Sequence, residues 1–189
     1  MKKFISIGAS IILLICVMLS STSCAFGDPF NKFSKKIEKE KSYKVTMSIN
    51  MDDVGKVTQI FYVDDNVIYY PENDTLHTDA YYVEEIDDYL IEYTQTKDDK
   101  WQKSITENDV DPEENDIFNK ENYIEDDEEK GVYRQKKSVI FENFDDVVIS
   151  FVDDTIVIEC VMTVDFVDMD AKMVISNIGE YELELPEVE

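Results

Sequence analysis

The residue with the most distinctive chemical setting is Cys24, near the start of the chain. Three segments lead to it: the positive start Met1-Lys2-Lys3, an apolar run from Phe4 to Leu19, and Ser20-Ser21-Thr22-Ser23. The apolar run is shorter than the roughly 20 residues that a membrane-spanning helix needs, and with its positive start it is typical of an export signal. We therefore expect residues 1–23 to be a signal peptide and the remaining chain to work outside the cytoplasm.

The stretch before Cys24 resembles the lipobox of bacterial lipoproteins, in which a cysteine after a small residue becomes the acylated first residue of the mature chain. Thr22 and Ser23 fit that pattern, whereas Ser21 stands where the pattern prefers leucine. The resemblance implies an acyl anchor on Cys24 at the extracytoplasmic face of the cell membrane. Ser21 and Ser23 equally suit an ordinary signal peptidase, which would leave a free secreted product.

Charge excludes one class of partner. The 189 residues carry 43 acids against 18 Lys and Arg, a formal charge of −25, which becomes −27 once residues 1–23 and their two lysines are removed. A surface of this sign repels phosphates, so we expect no nucleic-acid partner.

Residues 24–189 are enough for one domain with one core. Six of the basic residues lie close behind Cys24: Lys32, Lys35, Lys36, Lys39, Lys41 and Lys44.

Residues for catalysis are scarce. His77 is the single histidine, and Cys160 has no thiol partner if Cys24 is acylated, although an unacylated Cys24 could form a disulfide with it. A zinc site needs three or four convergent ligands, no segment has the ligand spacing of an EF-hand loop, and the five glycines form no phosphate-binding loop. We therefore expect a protein that is not an enzyme and binds no metal or cofactor.

The first element after the signal is a predicted amphipathic helix. Asp28-Pro29 reads as a helix N-cap followed by proline at the first helical position. Phe30, Phe33 and Ile37 then recur at helical spacing, with lysines on the other face. The pattern predicts a helix over about 29–41.

From Tyr43 onward the apolar residues alternate with polar ones, which is typical of half-buried strands. The alternation predicts eleven strands, at about 43–51, 56–63, 67–70, 80–85, 89–95, 101–105, 132–142, 147–152, 155–166, 171–178 and 181–185. Their connections are too short for parallel crossovers, so we expect an antiparallel sheet.

Acidic residues occupy several of the connections between the predicted strands. Four Asp-Asp pairs lie between apolar strand residues and predict tight turns: Asp64-Asp65, Asp87-Asp88, Asp145-Asp146 and Asp153-Asp154. The strongly acidic stretch 107–130 interrupts the strands. Within it, Asp111-Pro112 predicts a short helix at about 112–120, and the remainder is expected to be a solvated loop.

Several of the later strands are apolar on both faces. In 156–167 one face carries Ile156, Ile158, Cys160, Met162, Val164 and Phe166, and the other includes Val157, Val161 and Val167. Strands 147–152 and 172–178 also have apolar residues on both faces. A sheet region of this kind is expected to be covered on both sides, by packing on one and by a helix, partner or ligand on the other.

In its order of elements the chain resembles the bacterial lipoproteins related to LolA and to the LppX/LprG group. The likeness rests on the signal with Cys24, the amphipathic helix, the meander broken once, and the closing segment Ile175-Ser176-Asn177-Ile178-Gly179-Glu180-Tyr181-Glu182-Leu183-Glu184-Leu185-Pro186. It implies an α+β, mainly β fold: a strongly curved antiparallel sheet, or incomplete barrel of about eleven strands, with an N-terminal helix and a short inserted helix. It also implies an apolar cavity for acyl chains on the concave face.

Two functions follow as hypotheses. In the first, a membrane-anchored protein binds a lipid or another apolar ligand on the concave face, where Phe30, Phe33 and Ile37 form a plug. In the second, the protein is a non-enzymatic interaction or sensor module whose cavity is closed and whose acidic surface binds a cationic partner or the cell wall. The tyrosines Tyr62, Tyr69, Tyr70, Tyr81, Tyr82, Tyr89 and Tyr93 could line the mouth of a cavity or could simply be strand formers on a half-wet face.

Overall fold

In the part of the chain that it describes, the computed structural model has one α-helix and eleven strands. The structure describes residues 29–51, 55–76, 78–86, 89–96, 98–107, 119–141, 144–164 and 167–188. Helix α1 covers Pro29–Glu40. The strands are β1 (Ser42–Met51), β2 (Gly55–Asp64), β3 (Val67–Tyr70), β4 (Tyr81–Ile86), β5 (Tyr89–Gln95), β6 (Trp101–Glu107), β7 (Tyr123–Glu125), β8 (Val132–Gln135), β9 (Phe144–Val152), β10 (Thr155–Val164) and β11 (Val167–Ser176).

All eleven strands form one antiparallel sheet that is not closed. Its order is β6-β5-β4-β3-β2-β1-β11-β10-β9-β8-β7, so two meanders are joined where β1 pairs with β11. The expected mainly β fold, an open antiparallel sheet of eleven strands with one N-terminal helix, is confirmed. Strands β6 and β7 form the two edges.

The two edges of the sheet are joined by the segment between β6 and β7. Ten strand spacings separate β6 from β7, which is roughly 48 Å along a flat sheet. The chain from Glu107 to Tyr123 has to cover that path, and sixteen residues reach about 55 Å only when fully extended. A flat sheet would therefore leave the chain almost no slack between its two edges, which favours a curved sheet.

Helix α1 ends as the sequence predicted, within one residue. Lys41 takes a left-handed conformation with φ 57°, and its N–H donates to the carbonyl oxygen of Ile37 at 2.7 Å, which closes the last turn. Strand β1 then begins at Ser42. The expected cap at Asp28 lies outside the described residues.

Two predicted strands differ from the structure. The predicted strand 132–142 is wrong beyond Gln135, and the short edge strand β7 was missed. The predicted strand 181–185 is also wrong: this segment has no regular secondary structure. It lies against β1 and β2, with the N–H of Leu183 donating to Asp64 at 2.8 Å. Because β1 is already paired with β2 and β11, it has no free edge left for another strand.

The acidic turns were predicted correctly in two of four cases. Tight turns join β2 to β3 and β9 to β10, and Asp65 and Asp153 adopt positive φ of 51° and 52° in them. Asp87-Asp88 lies outside the described residues. The turn predicted at Asp145-Asp146 is wrong: the pair lies inside β9, where the register with β10 shifts.

That register shift is a β-bulge with Asp146 at φ 51°. A β-branched side chain is strained in this left-handed region. We expect Asp146→Val to lower the free energy of unfolding by about 1–2 kcal/mol, measured by urea denaturation. Asp170→Val, at an exposed position of β11 where φ is not positive, is the matched control and should change little. Equal losses in both variants would mean that backbone strain at Asp146 is not the cause.

The acidic stretch is described only in part. Most of the helix predicted at 112–120 lies outside the described residues. A single 3-10 turn at Lys120–Asn122 follows, capped by the side chain of Asn119. In the loop between β7 and β8, Asp126 accepts N–H bonds from Glu128 and Glu129 and pairs with Arg134 Nε at 2.6 Å. The Arg134 guanidinium and these N–H groups hold the pKa of Asp126 below its usual value. The same hydrogen bonds give this part of the loop a defined turn.

Candidate ligand site on the inner face

The three residues proposed as a plug lie together on one face of the sheet, which we call the inner face. Phe30, Phe33 and Ile37 are 4, 4 and 5% exposed and belong to the core cluster. The ring of Phe30 meets Tyr133 and Phe151 edge-on at centroid distances of 4.8 and 4.9 Å. Helix α1 therefore packs on the inner face over the β8 and β9 side of the sheet.

A second apolar region on the inner face is built from methionines of three strands. Met47 of β1 is opposite Met173 of β11, and Met173 is opposite Ile158 of β10. Further along the same two strands, Met162 is opposite Met169. We call Met47, Met162, Met169 and Met173 the methionine patch.

The two smallest side chains of this region lie between the methionines. Ala171 separates Met169 from Met173 along β11, and it is opposite Cys160, which separates Ile158 from Met162 along β10. A methionine side chain has three rotatable bonds and a polarisable sulfur, so a cluster of them can repack around objects of different shape. With these small neighbours at its centre, the methionine patch suits repacking around a ligand with little backbone movement.

Cys160 reports on the state of this patch. Burial raises the pKa of its thiol to about 12, because the surrounding apolar side chains disfavour the thiolate. In a form with serine at positions 16 and 24, we expect Cys160 to react with Ellman's reagent at least about a hundredfold more slowly than free cysteine near neutral pH. In urea the rate should become that of a free thiol. Fast reaction of the folded protein would mean that the patch is open to solvent.

A pocket opens at the rim of the sheet next to the methionine patch. Its volume is about 560 Å³, within the range of small-molecule sites. Its lining includes Phe141 and Phe144, and Phe144 is opposite Met162 in the pairing of β9 with β10. We call it the rim pocket. The rim pocket therefore opens to solvent between polar residues, next to the apolar core of the protein.

The polar groups of the rim pocket carry both signs of charge. Lys136 and Lys137, which follow β8, and Asp145 and Asp146 of β9 all belong to its lining. The amine of Lys136 donates to the backbone carbonyl of Glu121, which ties the pocket wall to the turn before β7. Ile140, in the same lining, is almost fully exposed. The pocket therefore offers an apolar surface bordered by groups that can bind a zwitterionic or hydrogen-bonding head.

The predicted tyrosines divide between the two faces. Tyr70 and Tyr81 stack on the inner face with ring centroids 4.3 Å apart. On the outer face a row of aromatic rings crosses neighbouring strands, with successive contacts from Tyr181 to Tyr62, Tyr69, Tyr82 and Trp101. Cross-strand stacking of this kind stabilises sheets, which favours the interpretation of the outer tyrosines as strand formers.

Two further tyrosines lie near the β6 edge. Tyr93 is buried, and its hydroxyl donates to Glu84 at 2.8 Å. Burial, with the hydrogen bond and the charge of Glu84, raises the pKa of Tyr93 to about 12. Tyr89 is exposed at the start of β5. Neither lines the inner face.

The other residues singled out from the sequence are not placed. Cys24 and His77 lie outside the described residues. Among the residues that are described, no group of His, Cys, Asp and Glu could hold a metal ion. Within the same part of the chain, no helix has the length and apolar character to cross a membrane.

Comparison with known proteins leaves the family open. No family model, curated protein or solved structure matches the chain. The likeness to LolA and LppX/LprG lipoproteins therefore rests on the residues quoted from the sequence alone.

Sequence reasoning missed both the methionine patch and the rim pocket. The methionines of β1, β10 and β11 do occur at alternating, inward positions in the sequence, which was a usable signal. What the sequence lacks is the register that puts Met47 beside Met173. The rim pocket depends on the loop 136–141, which was assigned to a strand.

Proposed function

We propose that this protein is an extracytoplasmic lipoprotein that is anchored through Cys24 and binds an acyl chain or a similar apolar ligand on the inner face of its sheet. The observation that supports the proposal is the methionine patch with Ala171 and Cys160 at its centre, whose Met162 is opposite Phe144, a lining residue of the rim pocket. The ligand would lie along the patch, with its polar end between the lysines and aspartates of the rim pocket.

The arrangement suits a ligand that enters and leaves. The methionines are flexible side chains, and the rim pocket has Phe144, the strand neighbour of Met162, in its lining. In this proposal a ligand enters from the rim pocket by displacing methionine side chains, without a movement of α1. Helix α1 instead closes the other part of the inner face through Phe30 and Phe33. In this proposal the helix limits the length of the bound chain, and the resemblance to LolA and LppX/LprG lipoproteins implies a cavity of the same kind.

The proposal can be tested by placing a bulky side chain inside the methionine patch. We expect wild-type protein to bind cis-parinaric acid, a fluorescent fatty acid, and to carry acyl species into native mass spectrometry. Ala171→Trp should weaken binding at least about tenfold, because the indole occupies the space between Met169 and Met173. Lys172→Trp adds the same ring at the next residue of β11, on the exposed outer face. This variant should bind cis-parinaric acid as tightly as the wild type does.

Stability separates loss of binding from loss of fold. Both tryptophan variants should be checked for cooperative thermal unfolding before binding is compared. Wild-type protein that binds no fatty acid and contains no acyl species would contradict the proposal. So would equal binding by wild type and a folded Ala171→Trp variant.

One observation favours the alternative of an interaction module with a closed cavity. Asp127, Glu128 and Glu129 are exposed in a turn that Asp126 and Arg134 hold in place. This acidic turn could bind a cationic partner at the cell surface. Replacing Asp127, Glu128 and Glu129 with Asn and Gln, and keeping Asp126, should then abolish cross-linking to that partner in cells without changing the unfolding temperature. Unchanged cross-linking would mean that the turn serves only solvation.

A further inference from the structure

Strand β6 is an edge with an unusually open environment. It pairs with β5 on one side and ends the sheet on the other. Every side chain from Gln102 to Glu107 is exposed, so neither face of this strand is covered. Native proteins usually protect such edges with proline, a bulge, several charges or a covering element, because unpaired backbone groups attract another strand. Lys103 and Glu107 are the only charges on β6.

An apolar corner lies beside this edge on the outer face. Ile86, Tyr89 and Ile105 are 42, 46 and 60% exposed. Ile86 is opposite Tyr89 in the pairing of β4 with β5, and Ile105 is opposite Ile91 in the pairing of β5 with β6. Single exposed apolar residues are ordinary, but these lie on one face of three neighbouring strands next to an unpaired edge.

We propose that two copies of this chain associate through β6, in antiparallel register, with Ile105 on the two-fold axis. In this register Lys103 is opposite Glu107 of the second copy, and the symmetry repeats that ion pair on the other side of the axis. Ile105 meets its own copy between the two ion pairs. Ser104 is opposite Thr106 of the second copy on the inner face, where both are small and polar.

The neighbouring registers are less favourable for stated reasons. In an antiparallel pair, the inner faces of both copies are on the same side only when odd-numbered residues are opposite odd-numbered ones. The alternative registers are therefore centred on a neighbouring residue of β6. Centring the pair on Ser104 places Lys103 opposite Ile105, and centring it on Thr106 places Glu107 opposite Ile105. Each of these registers removes both ion pairs within β6. Centring the pair on Lys103 places two lysines directly opposite each other, which is destabilising. Charge self-complementarity therefore selects the register centred on Ile105.

The resulting pair is compatible with attachment to one membrane. The two-fold axis is perpendicular to the sheet, so the inner faces of both copies point the same way. Helix α1 lies on the inner face, so Pro29 of each copy is on the same side of the paired sheet. A single strand pair is weak in dilute solution. Attachment of both copies to one membrane would raise their effective concentration.

Charge reversal distinguishes the proposed register from non-specific association. Sedimentation equilibrium of the full chain with Cys24→Ser should show a concentration-dependent dimer. Lys103→Glu and Glu107→Lys should each weaken dimerisation at least about tenfold, since each places like charges opposite each other twice. The double variant Lys103→Glu with Glu107→Lys should restore it. A wild-type protein that stays monomeric, or a double variant no better than the single ones, would overturn the proposal.

Disulfide trapping gives an independent measure of the same register. In a background with serine at positions 16, 24 and 160, Ile105→Cys should oxidise to a covalent dimer. Directly opposite Cβ atoms are about 4.5–5.5 Å apart, near the spacing that a disulfide bridges. Ser104→Cys, one residue away, is opposite Thr106 of the second copy and should remain monomeric. Cross-linking through position 104 and not through 105 would contradict the register. Neither test depends on ligand binding, so each can fail while the proposed function stands.

Discussion

Replacing Cys24 with serine is expected to move this protein from the membrane fraction to the soluble fraction at physiological salt. The physical reason is the size of the acyl contribution, roughly 0.8 kcal/mol per buried methylene, against at most about 1 kcal/mol for each lysine near anionic lipid. Membrane fractionation followed by detection of the protein measures the result. Cys160→Ser is the matched control and should remain with the membrane.

The structure weakens the competing contribution from the basic residues of α1. Lys36 pairs with Asp154 at 3.3 Å, Lys41 pairs with Asp65 at 2.8 Å, and Lys39 lies against Glu40. These ion pairs are exposed and add little to stability, but they reduce the positive charge that the helix can offer to a lipid surface. If the Cys24→Ser protein stayed on membranes at physiological salt, acylation would not be the principal anchor.

Truncation of the aromatic side chains of α1 should produce the largest loss of stability. Phe30 contacts the rings of Tyr133, Phe151 and Tyr123, and Phe33 contacts Phe151. Removing a buried phenylalanine side chain typically costs about 3–5 kcal/mol, of the same order as the roughly 5–15 kcal/mol that holds a domain folded. We expect Phe30→Ala and Phe33→Ala each to show this loss in urea denaturation, and the double variant to be largely unfolded.

The control lies on the same helix. Lys32 is exposed on the far side of α1, so Lys32→Ala should change the free energy of unfolding by less than about 0.5 kcal/mol. If Phe30→Ala were as mild as Lys32→Ala, the helix would not be an integral part of the core. In that case α1 could leave the inner face and expose a larger ligand site than the methionine patch alone.

The helix and most strands were predictable because their signals are local. Phe30, Phe33 and Ile37 fix the buried face of α1 by their spacing, and the alternation beginning at Tyr43 fixes the face of β1. The turns at Asp65 and Asp153 follow from the tolerance of aspartate for positive φ. Each of these features depends on residues within about one turn or one strand of each other.

The errors arose where the outcome depends on distant partners. Asp145-Asp146 has the same local pattern as the acidic turns, but the pairing of β9 with β10 makes it a bulge. The segment 181–185 alternates like a strand, but β2 and β11 already occupy both sides of β1. No local pattern contains that information.

The sequence by itself determined the amphipathic helix, the antiparallel character of the sheet and the scarcity of catalytic groups, because composition and short-range periodicity encode them. The export signal stays a prediction from the sequence. Only the tertiary structure decided which residues share a site. Met47 and Met173 are neighbours through the pairing of β1 with β11, and the rim pocket forms where β8, β9 and β10 end together. Among the described strands, the strand order leaves the outer edge of β6 unpaired. Register and strand order are set by the packing of the whole inner face, so residues far apart in the chain become neighbours only once the sheet is assembled.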